Sequence, residues 1–98
     1  MDMETLMAQA QDLQTKISAA QDSLAQQQVK GIAENGSVVV SMTGKYDILS
    51  VVIRPESLSL GAEKLSVLVA EAYKDAKEKA DVLIEKTMSA VTGSLSEE

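Results

Sequence analysis

The densest run of ionisable side chains lies between residues 74 and 86, where Lys74, Lys77, Lys79 and Lys86 alternate with Asp75, Glu78, Asp81 and Glu85. Two chemistries fit it. Lysines gathered along one edge would contact phosphate as point charges and carry no sequence information. Lysines interleaved with carboxylates would make a solvated, salt-bridged helix face. Asp75 and Lys79 stand at i, i+4 in the favourable orientation, worth about 0.2–0.5 kcal/mol. Helical spacing spreads the four lysines around the axis, which weakens the phosphate reading. The other cations singled out, Lys16, Lys30, Lys45 and Arg54, fall on a predicted helix or at strand ends and turns, where each is ordinary surface.

Covalent and acid–base chemistry has little to work with. The chain has no Cys and no His. That excludes a disulfide framework, a Cys or His nucleophile, a His general base and the usual zinc ligands. Thr43-Gly44-Lys45 glances at a phosphate loop, but the preceding Gly36 stands eight residues before Gly44, where that loop needs five. The segment also joins two predicted strands, so a hairpin is expected. No carboxylate pair, triad or glycine-rich cradle is visible. The expectation is a non-enzyme without cofactor or metal.

The elements that must position these residues are set by an aliphatic core. Among 98 residues there is no Phe and no Trp, only Tyr46 and Tyr73. A chain this short buries only about 60–65% of its unfolded surface. Without disulfide or metal, such a core favours oligomerisation. No apolar run reaches about 18 residues, so no membrane helix is expected. The acidic, amphipathic start lacks a signal peptide's basic and apolar regions, and a cytoplasmic protein is expected. Net charge is -6, which by itself argues against nucleic acid.

Met3, Leu6, Ala10, Leu13, Ile17, Ala20 and Leu24 alternate spacings of three and four, an a/d seam. It predicts a helix over about 3–28, capped by Asp2 and about 39 Å long. The strands that follow would span about 23 Å. The helix therefore overhangs any sheet the chain builds, and a second copy is the expected cover. Its neutral e and g positions leave the direction of pairing open. The period then changes to two. Strands are expected over about 29–34, 37–43 and 46–53, with Asn35-Gly36 as a two-residue turn and Gly44-Lys45 as the next. Val38, Val40 and Met42 would share an inner face with Leu49, Val51 and Ile53. The other face, with Val39, Ile48 and Val52, is more apolar than a solvated face should be, either because β-formers simply fill it or because a second subunit covers part of it. A second helix is expected over about 61–91, with Ala72, Ala76 and Ala80 permitting close approach. Gly93 would stop it, and 94–98 would be an acidic tail.

The order helix, three-stranded meander, helix resembles the YbaB/EbfC family of bacterial nucleoid-associated proteins. Leu6-Met7-Ala8-Gln9-Ala10-Gln11 resembles the family's opening Leu-Met-Lys-Gln-Ala-Gln. Gly36, Val38, Val40, Met42 and Gly44 are similar to its Gly-x-Val-x-Val-x-Ile-x-Gly hairpin. Val51-Val52-Ile53-Arg54-Pro55 resembles Val-x-Ile-Asp-Pro, and Leu65, Leu68, Val69, Ala72, Tyr73 and Ala76 resemble Leu-x-x-Leu-Val-x-x-Ala-Phe-x-x-Ala. Ala8 departs from the family's Lys and Arg54 from its Asp. Ser94 to Glu98 stand where the family carries a Met/Gly/Pro-rich tail.

The resemblance implies an α+β homodimer with an interlocked sheet core and projecting helices, binding double-stranded DNA with little sequence preference. Over residues 1–98 the expectation is one such domain, located at the nucleoid. Candidate DNA contacts are Lys16, Lys30, Lys45, Arg54, Lys74, Lys77, Lys79 and Lys86. Candidate dimer contacts are Leu6, Leu13, Ile17, Leu24, Val39, Ile48 and Val52. The alternative is an acidic relative that has lost DNA and works as a protein–protein adaptor.

Overall fold

A computed structural model describes residues 2–96, with side chains described for 2–91. The elements run α1 (Met3–Gln26), β1 (Gln28–Ala33), β2 (Val38–Thr43), β3 (Ile48–Ile53) and α2 (Ala62–Ser96), with 3-10 turns at Glu34–Gly36 and Pro55–Leu60. The fold is α+β, a long helix on either side of an antiparallel meander of order β1-β2-β3.

Asp2 caps α1 as expected: its Oδ1 accepts the Thr5 amide at 2.8 Å. The helix stops at Gln26, two residues before the expected end, because Gln27 turns extended. No Gly or Pro marks this stop. The tertiary structure makes it, since the Gly44 amide donates to the carbonyls of both Leu24 (2.9 Å) and Gln27 (3.2 Å). The helix end docks on the sheet only because Gly44 lacks a side chain; a Cβ there would lie 2.8 Å from the Leu24 carbonyl oxygen.

The first hairpin differs from the expected two-residue turn. Its ladder closes at Ala33↔Val38, leaving the four residues from Glu34 to Ser37 as the loop. Glu34, Asn35 and Gly36 all take positive φ (31°, 56° and 86°), and the Ser37 amide returns to the Ala33 carbonyl at 3.0 Å. Asn35-Gly36 thus supplies left-handed backbone, but to a longer loop. Gly36→Val places a β-branched residue at φ 86°, with its Cβ 3.2 Å from Arg54 Nη2. We expect a loss of about 1–3 kcal/mol, read as a lower Tm in a thermal melt; an unmoved Tm would refute this account of the loop.

The second turn is also longer than expected, so β3 begins at Ile48 and not Tyr46. Thr43 Oγ1 accepts from the amides of Lys45 and Asp47, and Tyr46 sits at φ 70°. β3 pairs Ile53↔Val38, Val52↔Val39, Val51↔Val40 and Ser50↔Ser41, then slips to Ile48↔Met42. Leu49 is the extra residue of a bulge. The slip puts Ile48 opposite Met42, on the inner face, where strict alternation had put it outside.

The core joins Ala33, Val38, Val40 and Met42 of the sheet to Leu68, Ala72, Ala76 and Ala80 of α2. α2 lies over β1 and β2 and leaves β3 largely bare. Leu49 and Val51, expected inside, are therefore 50% and 44% exposed. The alanine stripe lets α2 approach β1 so closely that a Cβ on Gly31 would stand 1.9 Å from the Ala72 carbonyl oxygen. A glycine inside a strand marks such a backbone approach.

α1 packs its C-terminal half on the far end of α2, where Ala20 and Ser23 line one groove with Thr87, Ala90 and Val91. Ala20 and Leu24 are buried, Leu13 and Ile17 half-buried, and Met3, Leu6 and Met7 exposed. α2 runs through Gly93 to Ser96. One helical glycine costs only about 1 kcal/mol, too little to end a 35-residue helix. The expected tail is thus helical over 94–96, and Glu97 and Glu98 lie outside the described residues. The molecule measures 68 × 19 × 16 Å with a radius of gyration of 19.2 Å. A compact chain of this length would have about 13 Å.

Candidate nucleic-acid interface

Among the described residues three of the nine cationic side chains make ion pairs: Lys16 with Asp12 (3.1 Å), Lys64 with Glu34 (3.1 Å) and Lys79 with Asp75 (3.0 Å). Lys30, Lys45, Arg54, Lys74, Lys77 and Lys86 make none among the described residues, and all six are exposed. These are the groups most available to a phosphate. They do not form one patch. At about 100° per residue, Lys74 shares the solvent face of α2 with Glu78, Asp81 and Glu85, Lys77 flanks it, and Lys86 points about 120° away. Lys45 lies in the β2–β3 loop and Arg54 just past β3. Arg54 reaches back over the first hairpin loop, close to Gly36.

The Asp75–Lys79 pair expected from its spacing is present, and its partners were not foreseeable. Asp75 Oδ2 also accepts the Ile32 amide of β1 at 2.9 Å. Lys79 Nζ also donates to the Lys30 carbonyl of β1 at 2.7 Å. Lys79 is therefore held against the sheet. The Ile32 amide first, and then the Lys79 ammonium, hold the Asp75 carboxyl below its ordinary 3.8. A depressed carboxyl adds stability that is present above its unfolded pKa and lost as pH falls through the folded one. Wild-type protein should therefore lose stability below about pH 4, and Asp75→Asn should flatten that part of the acid-melting curve. Superimposable curves would refute the contribution.

Nothing in the sequence singles out Lys64, because its partner Glu34 is 30 residues away and only the fold brings the two together. Tyr46 has a tertiary partner that its place at the start of an expected strand does not reveal. Its hydroxyl donates to Asp81, pinning the second loop to α2, and the carboxylate raises the phenol above its ordinary 10.0. Of the apolar candidates, Leu24 is used within the chain, buried at the α1–β2 junction. Leu6, Ile48 and Val52 are exposed, and Leu13, Ile17 and Val39 half-buried. Among the described residues no group of three acidic side chains gathers to hold a metal, and no helix is long and apolar enough to cross a membrane.

Residues 1–95 match the model of the YbaB/EbfC DNA-binding family. The chain belongs to that family. It is 40% identical over 90 residues to a nucleoid-associated protein of Bordetella avium, covering 92% of this chain and 83% of that one. It is 37% identical over 94 residues to a nucleoid-associated protein of Gloeothece citriformis, covering 96% and 82%. Its fold is similar to the crystal structure of an uncharacterized protein from Helicobacter pylori, with TM-score 0.77, 17% identity, and 97% and 98% of the two chains covered. That level of identity speaks for the fold alone.

Proposed function

We propose that this chain is a non-catalytic nucleoid-associated protein that binds double-stranded DNA as a homodimer with little sequence preference. Family membership over nearly the whole length carries this reading. On this reading the protein works at the nucleoid, in the cytoplasm, as one YbaB-like domain. Phosphate would be met by the cations that make no ion pair among the described residues, Lys30, Lys45, Arg54, Lys74, Lys77 and Lys86. Such contacts position a duplex without reading its bases.

Two features support self-association. The chain exposes 6749 Å². A compact monomer of 10.4 kDa exposes about 5,400 Å². The excess is larger than the roughly 800 Å² each partner gives to a standard interface. β3, ILSVVI, also leaves four apolar residues, Ile48, Leu49, Val51 and Val52, largely bare, which water makes unfavourable and a second copy would cover.

The interleaved acids and a net charge of -6 favour a second reading, an adaptor that pairs with protein and not DNA. Salt separates the two. Acidic surface repels a duplex over about 10 Å at 0.1 M, so only local cations hold phosphate. Binding should be measurable at about 50 mM salt and fall steeply above it. Lys74→Ala with Lys77→Ala should weaken binding to all sequences alike. The slope of log affinity against log salt should flatten by about one unit for each phosphate that is no longer neutralised. A salt-independent affinity would point away from phosphate contacts, and no binding at about 50 mM salt with the dimer intact would leave the adaptor as the better account.

A further inference from the structure

The meander has two edges, β1 and β3, and they are treated differently. In the β1–β2 register alternate residues turn their backbone groups away from β2, Lys30 and Ile32 among them. An added strand would need both the N–H and the C=O of such a residue. Each has already committed one. Asp75 takes the Ile32 amide at 2.9 Å, and Lys79 takes the Lys30 carbonyl at 2.7 Å. Their own 3.0 Å ion pair spans the gap between the two. Two side chains one helical turn apart on α2 thus occupy the middle of the β1 edge. Among the described residues no side chain is seen to do the same for β3, whose pairing ends at β2.

We propose that the Asp75–Lys79 pair is an edge guard: it closes β1 to strand addition by another copy of this chain and confines strand pairing between copies to β3. A molecule with two open edges adds copies at both and grows without limit. With one edge closed, two copies meet through like surfaces and stop. The inference rests on the self-association reading above, but the guard itself has a local readout that does not.

The test uses the full chain and its Asp75→Ala and Asp75→Asn variants. Amide exchange at Ile32 is followed by NMR, and mass by sedimentation over a concentration series from the low to the high micromolar range. Asp75→Ala should speed Ile32 exchange about tenfold, the effect of removing one hydrogen bond. It should also give species whose mass climbs with concentration, while wild type keeps a fixed size. Asn still offers an oxygen to the Ile32 amide, so Asp75→Asn should keep both the protection and the fixed size. Should Asp75→Ala not fold, Lys79→Ala frees the Lys30 carbonyl alone and should show the climbing mass. Unchanged exchange at Ile32 in Asp75→Ala, or faster exchange at fixed mass, would overturn the guard. A wild type that stays monomeric throughout would instead overturn self-association, with the guard still judged by Ile32 exchange and by whether the variants begin to grow.

Discussion

Gly31→Ala should leave the protein largely unfolded at 37 °C. The added Cβ would stand 1.9 Å from the Ala72 carbonyl oxygen, 2.3 Å from the Ala76 amide nitrogen and 2.7 Å from the Ala76 Cβ. The first two are backbone atoms and cannot swing aside, so α2 itself must lift. Lifting it parts Ala72, Ala76 and Ala80 from Val38, Val40 and Met42, which together are most of the core. Overpacking costs about 1–3 kcal/mol where side chains give way, and more where they cannot. A chain of 98 residues has about 5–15 kcal/mol in all, and this one, with a thin aliphatic core, belongs near the bottom of that range. Each kcal/mol lowers Tm by about 4–8 °C at this size, so a fall of about 15 °C or more is expected in a circular-dichroism melt. A fall of only a few degrees would mean that α2 does not lie on Gly31.

If the chain is the homodimer proposed above, Val52→Asp should turn it into a folded monomer. Val52 is 57% exposed in the single chain, so a carboxylate there costs the fold little. It lies on the outer face of the sheet in register with Val39, and Val39 pairs in turn with Ile32. The three make an apolar row across all three strands. If a second copy covers that row, the variant buries an unpaired charge. Such a charge costs about 3–5 kcal/mol, a factor of about 10² to several times 10³ in the dissociation constant. Sedimentation at micromolar concentration should then show monomer, with the far-UV spectrum of the fold retained. An unchanged mass would remove this face from the interface and point to the α1 seam, where Leu13→Asp is the matching variant.

What the sequence determined by itself was local. Two helical periods around an alternating stretch set the element order, because side chains repeat every 3.6 residues on a helix and every two on a strand. Asp2, Asn35-Gly36 and Pro55 were legible because each answers a constraint of its own backbone. The Asp75–Lys79 pair was legible because one helical turn separates its members. The tertiary structure decided the rest. Where α2 crosses the sheet is set by Gly31 and the alanine stripe, which are far apart in the chain. That crossing, over β1 and β2, left Leu49 and Val51 exposed though their pattern called for burial. The bulge at Leu49 returned Ile48 to the inner face, because one extra residue reverses the alternation beyond it. Gly44 ended α1 from a distant point in the chain, and a single Gly93 did not end α2. Asp75 and Lys79 found their backbone partners only once the sheet edge lay beside the helix, since spacing along a chain says which residues share a face and not what that face meets.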